Sequence, residues 1–576
     1  MSPRGLFIAS LFLCSTSAAL AQDAKNPLRF VPSQAEWIVK VERPRQLFDA
    51  VKKNEVFQQA QKLAGVREYY DTTTFQQLYQ VIAYFEKRLG KNREEIIDEL
   101  TAGGVVLAAK LTPPQGAVLV VQAKDEATLR KFIDVSLDLL QKELDRQESK
   151  DRIGRGKYQD YDTIEIGPNA NFAIVDAALV IASNKTALQL ALDTQAEKEG
   201  SKSVLQLPGF AEAHKKAAAK AMVWTWLNLE EVRKNPVFKS ALEAAALDPF
   251  QLLLFGGFSD LLRRSPYVSA ALTAAGDSGY RIGVAMPVGR EGMAPVQHLF
   301  LSADGKGTLP PLQPPRVISS SSYRLDLGQL WEKRVKILGK KNAGGLEDGD
   351  KNLAKFLGGI KLAKLFKALG PNHRAVVAQQ KDRPYKIKPT TQVPAFALVV
   401  DMRDPSFAKD MNSIFRAGAL LATFQVGLNL KEETYKDCEM ISYQFSETKK
   451  VDGDAQSVRF NFSPAYVTVG DYFVMSATAE LARDLVDLLQ AEQKQKPLKA
   501  SMRTQLFASG VADIIRSNEN ATLTQLILSQ ALPPKTAKAE LQAILEWVER
   551  LGTLRLESTY GANDFRYDIL WQAKKK

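Results

Sequence analysis

The chain has 576 residues, 45% of them hydrophobic and 25% charged, with a formal net charge of +12 and only two cysteines. That apolar content excludes an intrinsically disordered chain, and a single core rarely grows to this length, so two or more domains are expected. Cys14 lies in the leader segment described next, which leaves Cys438 alone and excludes an intrachain disulfide.

Residues 1–21 read as a secretory signal: Arg4 is the basic n-region, Leu6 to Leu13 the apolar stretch, and Ala19-Leu20-Ala21 the cleavage site. The mature protein is expected to begin at Gln22 and to be secreted or periplasmic. Without Arg4 its charge is +11. Leu13 is too large for the position before a lipid-anchored Cys14, and no later apolar run reaches the roughly 18 residues of a membrane span.

Downstream, Leu119-Val120-Val121 is a short apolar strand. Asp125 follows as the expected cap of a helix with apolar residues at Leu129, Phe132, Ile133, Leu137 and Leu140. Tyr158-Gln159-Asp160 reads as a loop or strand entry. "FAIVDAALVIAS" (172–183) reads as a hairpin, followed by a helix bearing Leu188, Ala191 and Leu192. The strand Met222 to Leu227 places Trp224 and Trp226 on one face. Stacking on a sugar ring or a partner is one use for such a pair, and filling the sheet–helix core is the favoured one. "YVSAALTAAGDSGYRIGVAMPV" (267–288) reads as a hairpin with Gly276 to Gly279 at its tip. Gly-Asp-Ser-Gly resembles the nucleophile loop of chymotrypsin-like proteases, but the second glycine of that signature is missing and none of His214, His298 and His373 has a catalytic context. Ser278 is therefore read as a turn residue.

Asp304 to Arg316, "DGKGTLPPLQPPR", has the composition of an extended linker. "EDGDKN" (347–352) opens like a calcium loop, but Leu353 and Gly359 stand where that loop needs Gly and Glu, so a polar loop with Asp350 capping the next helix is expected. In "KNLAKFLGGIKLAKLFKALG" (351–370), Lys355, Lys361, Lys364 and Lys367 accompany Leu353, Phe356, Leu357, Ile360, Leu365 and Phe366. A basic amphipathic helix of this kind can lie on an anionic cell-envelope surface. Its earlier counterpart, 92–104, is instead acidic through Glu94, Glu95, Asp98 and Glu99, and Gly358-Gly359 weakens the helix.

The landmarks then recur in order. Leu398-Val399-Val400 leads through Asp404 to Phe407, Met411, Ile414 and Phe415. Tyr435-Lys436-Asp437 matches Tyr158-Gln159-Asp160, and "YVTVGDYFVMSA" (466–477) precedes a helix with Leu481, Leu485 and Leu488. "TLRLESTYGANDFRYDILWQ" (553–572) matches the terminal hairpin, with Asn563 where the first copy has Ser278. This predicts an α+β fold, a tandem duplication of a unit with mainly antiparallel sheets and hairpins covered by helices: 22–300, a linker 301–316, 317–573 and a basic tail 574–576. No HExxH, paired CxxC, Walker or GxGxxG pattern supports a metal or nucleotide cofactor, and no basic patch with interleaved aromatics signals nucleic acid.

"FVPSQAEWIVKVERPRQLFDAV" (30–51), with the "LVV" and "FAIVDAALVIAS" units, resembles large exported bacterial proteins grouped only as a domain of unknown function. The resemblance implies secretion and a repeated α+β architecture and transfers no site residue. Three functions are expected candidates: a non-enzymatic extracytoplasmic binding or scaffold protein, which leads; a peripheral envelope or polyanion binder using the lysine helix; and a hydrolase whose site is assembled only in three dimensions.

Overall fold

The computed structural model describes residues 25–149, 152–167, 170–244, 249–302, 305–492 and 496–574. The expected leader, its expected cleavage site and Cys14 lie outside the described residues, as do Lys575 and Lys576 of the tail. The chain divides into two compact units: Met1–Lys239, Ser265–Ala274 and Arg281–Met286 form the first, and Ser240–Arg264, Ala275–Tyr280 and Pro287–Lys576 the second. The packing thus divides the chain before the Pro/Gly-rich stretch and not at it. That stretch is extended, as its prolines dictate, but it is a packed part of the second unit. Thr308 pairs through its backbone with Ala500 and Leu498, and Leu312 is buried in the core.

Both units are α+β. The first contains strands β1 (Trp37–Val41), β2 (Val105–Lys110), β3 (Gly116–Gln122), β4 (Ile153–Tyr158), β5 (Tyr161–Ile166), β6 (Ala170–Val175), β7 (Ala178–Ala182), β8 (Val223–Asn228), β9 (Tyr267–Ala274) and β10 (Gly279–Met286). Their spatial order is β10-β9-β8-β1-β2-β3-β7-β6-β5-β4, and every pair with a defined register is antiparallel. The second contains β11 (Val317–Arg324), β12 (Leu369–Ala378), β13 (Ala395–Met402), β14 (Leu428–Tyr435), β15 (Cys438–Phe445), β16 (Ala465–Val469), β17 (Tyr472–Ser476), β18 (Met502–Phe507), β19 (Thr553–Tyr560) and β20 (Phe565–Gln572). Their order is β20-β19-β18-β11-β12-β13-β17-β16-β15-β14, which is the first order with ten added to each strand number.

Side chains alternate along a strand, so each sheet has two faces to cover. In the first unit Val118 and Val120 bury against Leu188, Ala191 and Leu192 of α2 (Lys185–Gln195), whereas Val121 turns to Leu129 and Ile133 of α1 (Glu126–Arg146). The second unit has four helices of concern here: α3 (Arg334–Phe356), α4 (Leu362–Ala368), α5 (Ser406–Val426) and α6 (Ala479–Ala491). Its Ala397 and Val399 bury under Leu481, Leu485 and Val486 of α6, and Val400 under Phe407 and Met411 of α5.

The helix starts follow the sequence. Asp125 accepts from the Thr128 N–H at 2.8 Å, and Asp404 from the Ser406 N–H at 2.8 Å. The Tyr-x-Asp pairs lie at hairpin tips, and their tyrosines do work the sequence did not reveal. Tyr158 donates to Asp193 on α2 at 2.9 Å, and Tyr435 to Asp487 on α6 at 3.2 Å, so each hairpin is tied to the helix that covers the sheet. Leu481 is fully buried in the second core. Leu481→Ala should cost about 2–5 kcal/mol in chemical denaturation, with the loss confined to the transition of the second unit.

Candidate functional site

Strand register makes the two units comparable residue by residue. Ala108 pairs with Val118 and Val118 with Ala182, as Val376 pairs with Ala397 and Ala397 with Ser476. Asn184 caps α2 through the Ala187 N–H, and Thr478 caps α6 through the Leu481 N–H, two residues past Ala182 and Ser476 respectively. Ala108 therefore corresponds to Val376, Lys110 to Ala378, Gly116 to Ala395, Thr186 to Glu480, Ala187 to Leu481 and Leu190 to Asp484.

In the first unit these positions surround an open cavity of about 470 Å³. Its walls are Ala108, Val118, Ala187 and Leu190, with Pro32, Ala35 and Pro114 beside them, and Gln34, Gln115, Asn184, Thr186 and Lys110 supply polar atoms. Gly116 makes part of the space: a β-carbon there would meet the Ala187 methyl at 3.2 Å. The connection between β2 and β3 is fastened to Glu36, 1% exposed. Its carboxylate accepts from the Leu111 and Thr112 N–H groups at 2.8 and 3.0 Å and also from the Thr112 hydroxyl.

In the second unit the same place is closed twice over. Val376 and Leu481 occupy the core together with Leu312. The connection between β12 and β13, residues 379–394, then crosses the start of α6: Thr478 donates to Gln380 at 2.6 Å, and the Lys381 and Asp382 N–H groups donate to Glu480 at 3.3 and 3.0 Å. Tyr385 anchors the segment further on, donating to the Phe462 carbonyl at 2.7 Å and accepting from the Phe445 N–H at 3.0 Å. Burial raises the Glu480 carboxyl above its usual range despite these donors. Burial, then the charges of Glu480 and Asp487, push Asp484 up to about 6.

The residues singled out in the sequence do not lie at this cavity. Trp224 and Trp226 do share one face; they are 0% and 3% exposed and meet the Phe210 ring at 5.1 and 5.2 Å, with Trp226 also lining a hollow beside Gly209 and Tyr267. The lysine segment is not one helix. Lys355 belongs to the end of α3, Gly358 and Gly359 break the chain at φ +63° and +87°, and Lys361, Lys364 and Lys367 start again at α4. Lys364 pairs with Asp410 at 2.6 Å while its side chain stays 55% exposed. Residues 347–352 are helical within α3 and not a polar loop, though Asp350 does cap a later helix by accepting from the Leu362 N–H at 2.5 Å.

Ser278 lies in the turn between β9 and β10, where Gly276 takes φ +70°. His214 is hydrogen-bonded to Glu42 at 2.6 Å, and buried His373, held below its usual pKa by desolvation, faces the Leu325 carbonyl at 2.9 Å. His298 is exposed on the short helical turn Pro295–Leu299. Cys438 is a half-buried free thiol. Among the described residues, no cluster of three or more His, Cys, Asp or Glu is placed to hold a metal, and no helix is long and apolar enough to cross a membrane.

Other hollows occur among the described residues of the first unit. One of about 400 Å³ opens among Phe48, Phe75, Tyr79, Phe85 and Phe132, and another of about 410 Å³ lies beside Gly209, Glu230 and Tyr267.

No protein-family model matches the chain, and no curated protein does. Among solved structures it is similar to crystal form III of TP0453, with 13% identity over 48% of this chain and 84% of that one and a TM-score of 0.24. It is also similar to crystal form IV, with 12% identity over 46% and 83% and a TM-score of 0.26. A likeness of that size carries no functional argument.

The raised pKa of Asp484 has a defined sign. The folded state holds this proton more tightly than the unfolded state, so its contribution to stability is present at acid pH and is lost as the pH rises toward and through about 6. Asp484→Asn should therefore gain on the natural chain between pH 4 and pH 7 in paired denaturation curves. A difference that stays flat with pH would contradict the assignment.

Proposed function

We propose that the chain is an exported, non-enzymatic binding protein built from two copies of one unit, and that the first copy binds an apolar ligand in the cavity between α2 and the β2–β3 pair. One observation carries this reading: at equivalent register positions the second unit has Leu481 in its core under residues 379–394, whereas the first has Ala187 beside an open space, and the Ala108–Val118 pair of the first is merely exchanged as Val376–Ala397 in the second. Replacing such residues by alanine costs about 2–5 kcal/mol for a leucine when the space stays empty. A unit that fills the position in one copy and leaves it open in the other supports a vacancy kept for a ligand, as expected of a small-molecule site with apolar walls and few polar groups.

The leader and the absence of a recognisable catalytic constellation in the sequence support export and binding. Envelope attachment through the lysine segment has less support, because its lysines are divided between two helices and one is paired with Asp410.

The test is to fill it. Ala108→Val with Ala187→Leu places a valine and a leucine where the second unit has them, with Val118 kept. The double variant should keep or gain stability, by about 1 kcal/mol, and should lose fluorescence enhancement of the neutral apolar dye N-phenyl-1-naphthylamine. Unchanged dye binding in a folded double variant would rule out this cavity as the site.

A further inference from the structure

Resting on that reading of the cavity, we propose the chemical class of its ligand: an apolar chain carrying an anionic head, with Lys110 as the head-group partner. The observation is a reversal of charge between equivalent positions. In the second unit, the position of Thr186 is Glu480, whose carboxylate sits at the first turn of α6 and is satisfied by the Lys381 and Asp382 N–H groups of the chain's own covering segment. The position of Lys110 there is Ala378, buried in the core. In the first unit both choices are inverted: the acid is replaced by a hydroxyl and the alanine by a lysine.

The cavity wall accordingly contains one cation and no carboxylate. Buried Glu36 directs its carboxylate to Leu111 and Thr112 and is not part of the wall. Among the described residues, no carboxylate lies within ion-pair distance of Lys110. The first turn of α2 also lacks an acidic residue, whereas that of α6 has Glu480. Where the second unit supplies its own anion, the first supplies a cation at the rim of an apolar space. Lys110 shares the strand face of Val106 and Ala108, since residues two apart point the same way, and it is a partly exposed residue of the cavity wall. A carboxylate or phosphate head would be held there by charge-assisted hydrogen bonds, with Gln34 as a neutral donor, since the Gln115 and Asn184 amides already donate to the Leu111 and Gln115 carbonyls.

Displacement of N-phenyl-1-naphthylamine from the mature chain by decanoate, decyl phosphate, 1-decanol and decylammonium tests this directly. The two anions should displace the dye at about five- to tenfold lower concentration than decylammonium, and the better anion names the head. Lys110→Met should erase the preference and Lys110→Arg should retain it. Equal displacement by all four chains, or a preference that survives Lys110→Met, would overturn the anionic head and leave the apolar cavity standing. Failure of every chain to displace the dye would overturn the cavity reading itself.

Discussion

Each unit depends on a single packing constraint: the helix that follows the second hairpin must bury one apolar stripe on a sheet whose side chains alternate with period two. Once Val118 and Val120, or Ala397 and Val399, face that helix, the register leaves no freedom to slide without turning every core residue outward. The tyrosine at the hairpin tip, Tyr158 or Tyr435, fixes the same helix from its far end through Asp193 or Asp487. The N-cap and the tyrosine tie thus lie nine residues apart on the helix in both units, and positions between them can be compared without ambiguity.

Within so rigid a frame, a few small side chains decide whether the helix–sheet interface is closed. The second unit closes it with Val376, Leu481 and Leu312, then lays residues 379–394 over the helix start. That covering connection is 16 residues long against 5 between β2 and β3. Closing the longer loop costs only roughly 1 kcal/mol more in chain entropy, so covering the site is thermodynamically inexpensive. The first unit does the reverse: Ala187 and Gly116 leave space, and the short connection is fastened to Glu36. Its open cavity is a local arrangement within a core that is otherwise as tightly buried as its counterpart.

The sequence revealed most of the fold and none of the site. Apolar period, the Asp125 and Asp404 caps and the recurring Tyr-x-Asp pairs marked the repeated elements, because these are local signals of a few residues. The α+β class followed from the hairpins, and the exchange of Ser278 for Asn563 identified a turn. The lysine helix was misread because amphipathic spacing continues across Gly358-Gly359, while positive φ at both glycines ends the helix. The linker was misread because proline and glycine report extension but not burial, and Thr308 and Leu312 are buried. The cavity was invisible for a different reason. Ala108, Gly116 and Ala187 are unremarkable alone, and their meaning appears only against Val376, Ala395 and Leu481, a comparison that requires strand register and helix caps to be known. Lys110 likewise carries no motif and gains significance from the alanine that replaces it.

The most direct measurement is a crystal structure of residues 22–576 under xenon pressure, since xenon enters dry apolar cavities without requiring knowledge of the ligand. Xenon should appear between Ala108, Val118 and Ala187, with none at the corresponding place between Val376, Ala397 and Leu481. A first unit without xenon, in which α2 has settled onto the sheet and the space has closed, would contradict a kept vacancy and reduce the difference between the units to ordinary variation in core packing.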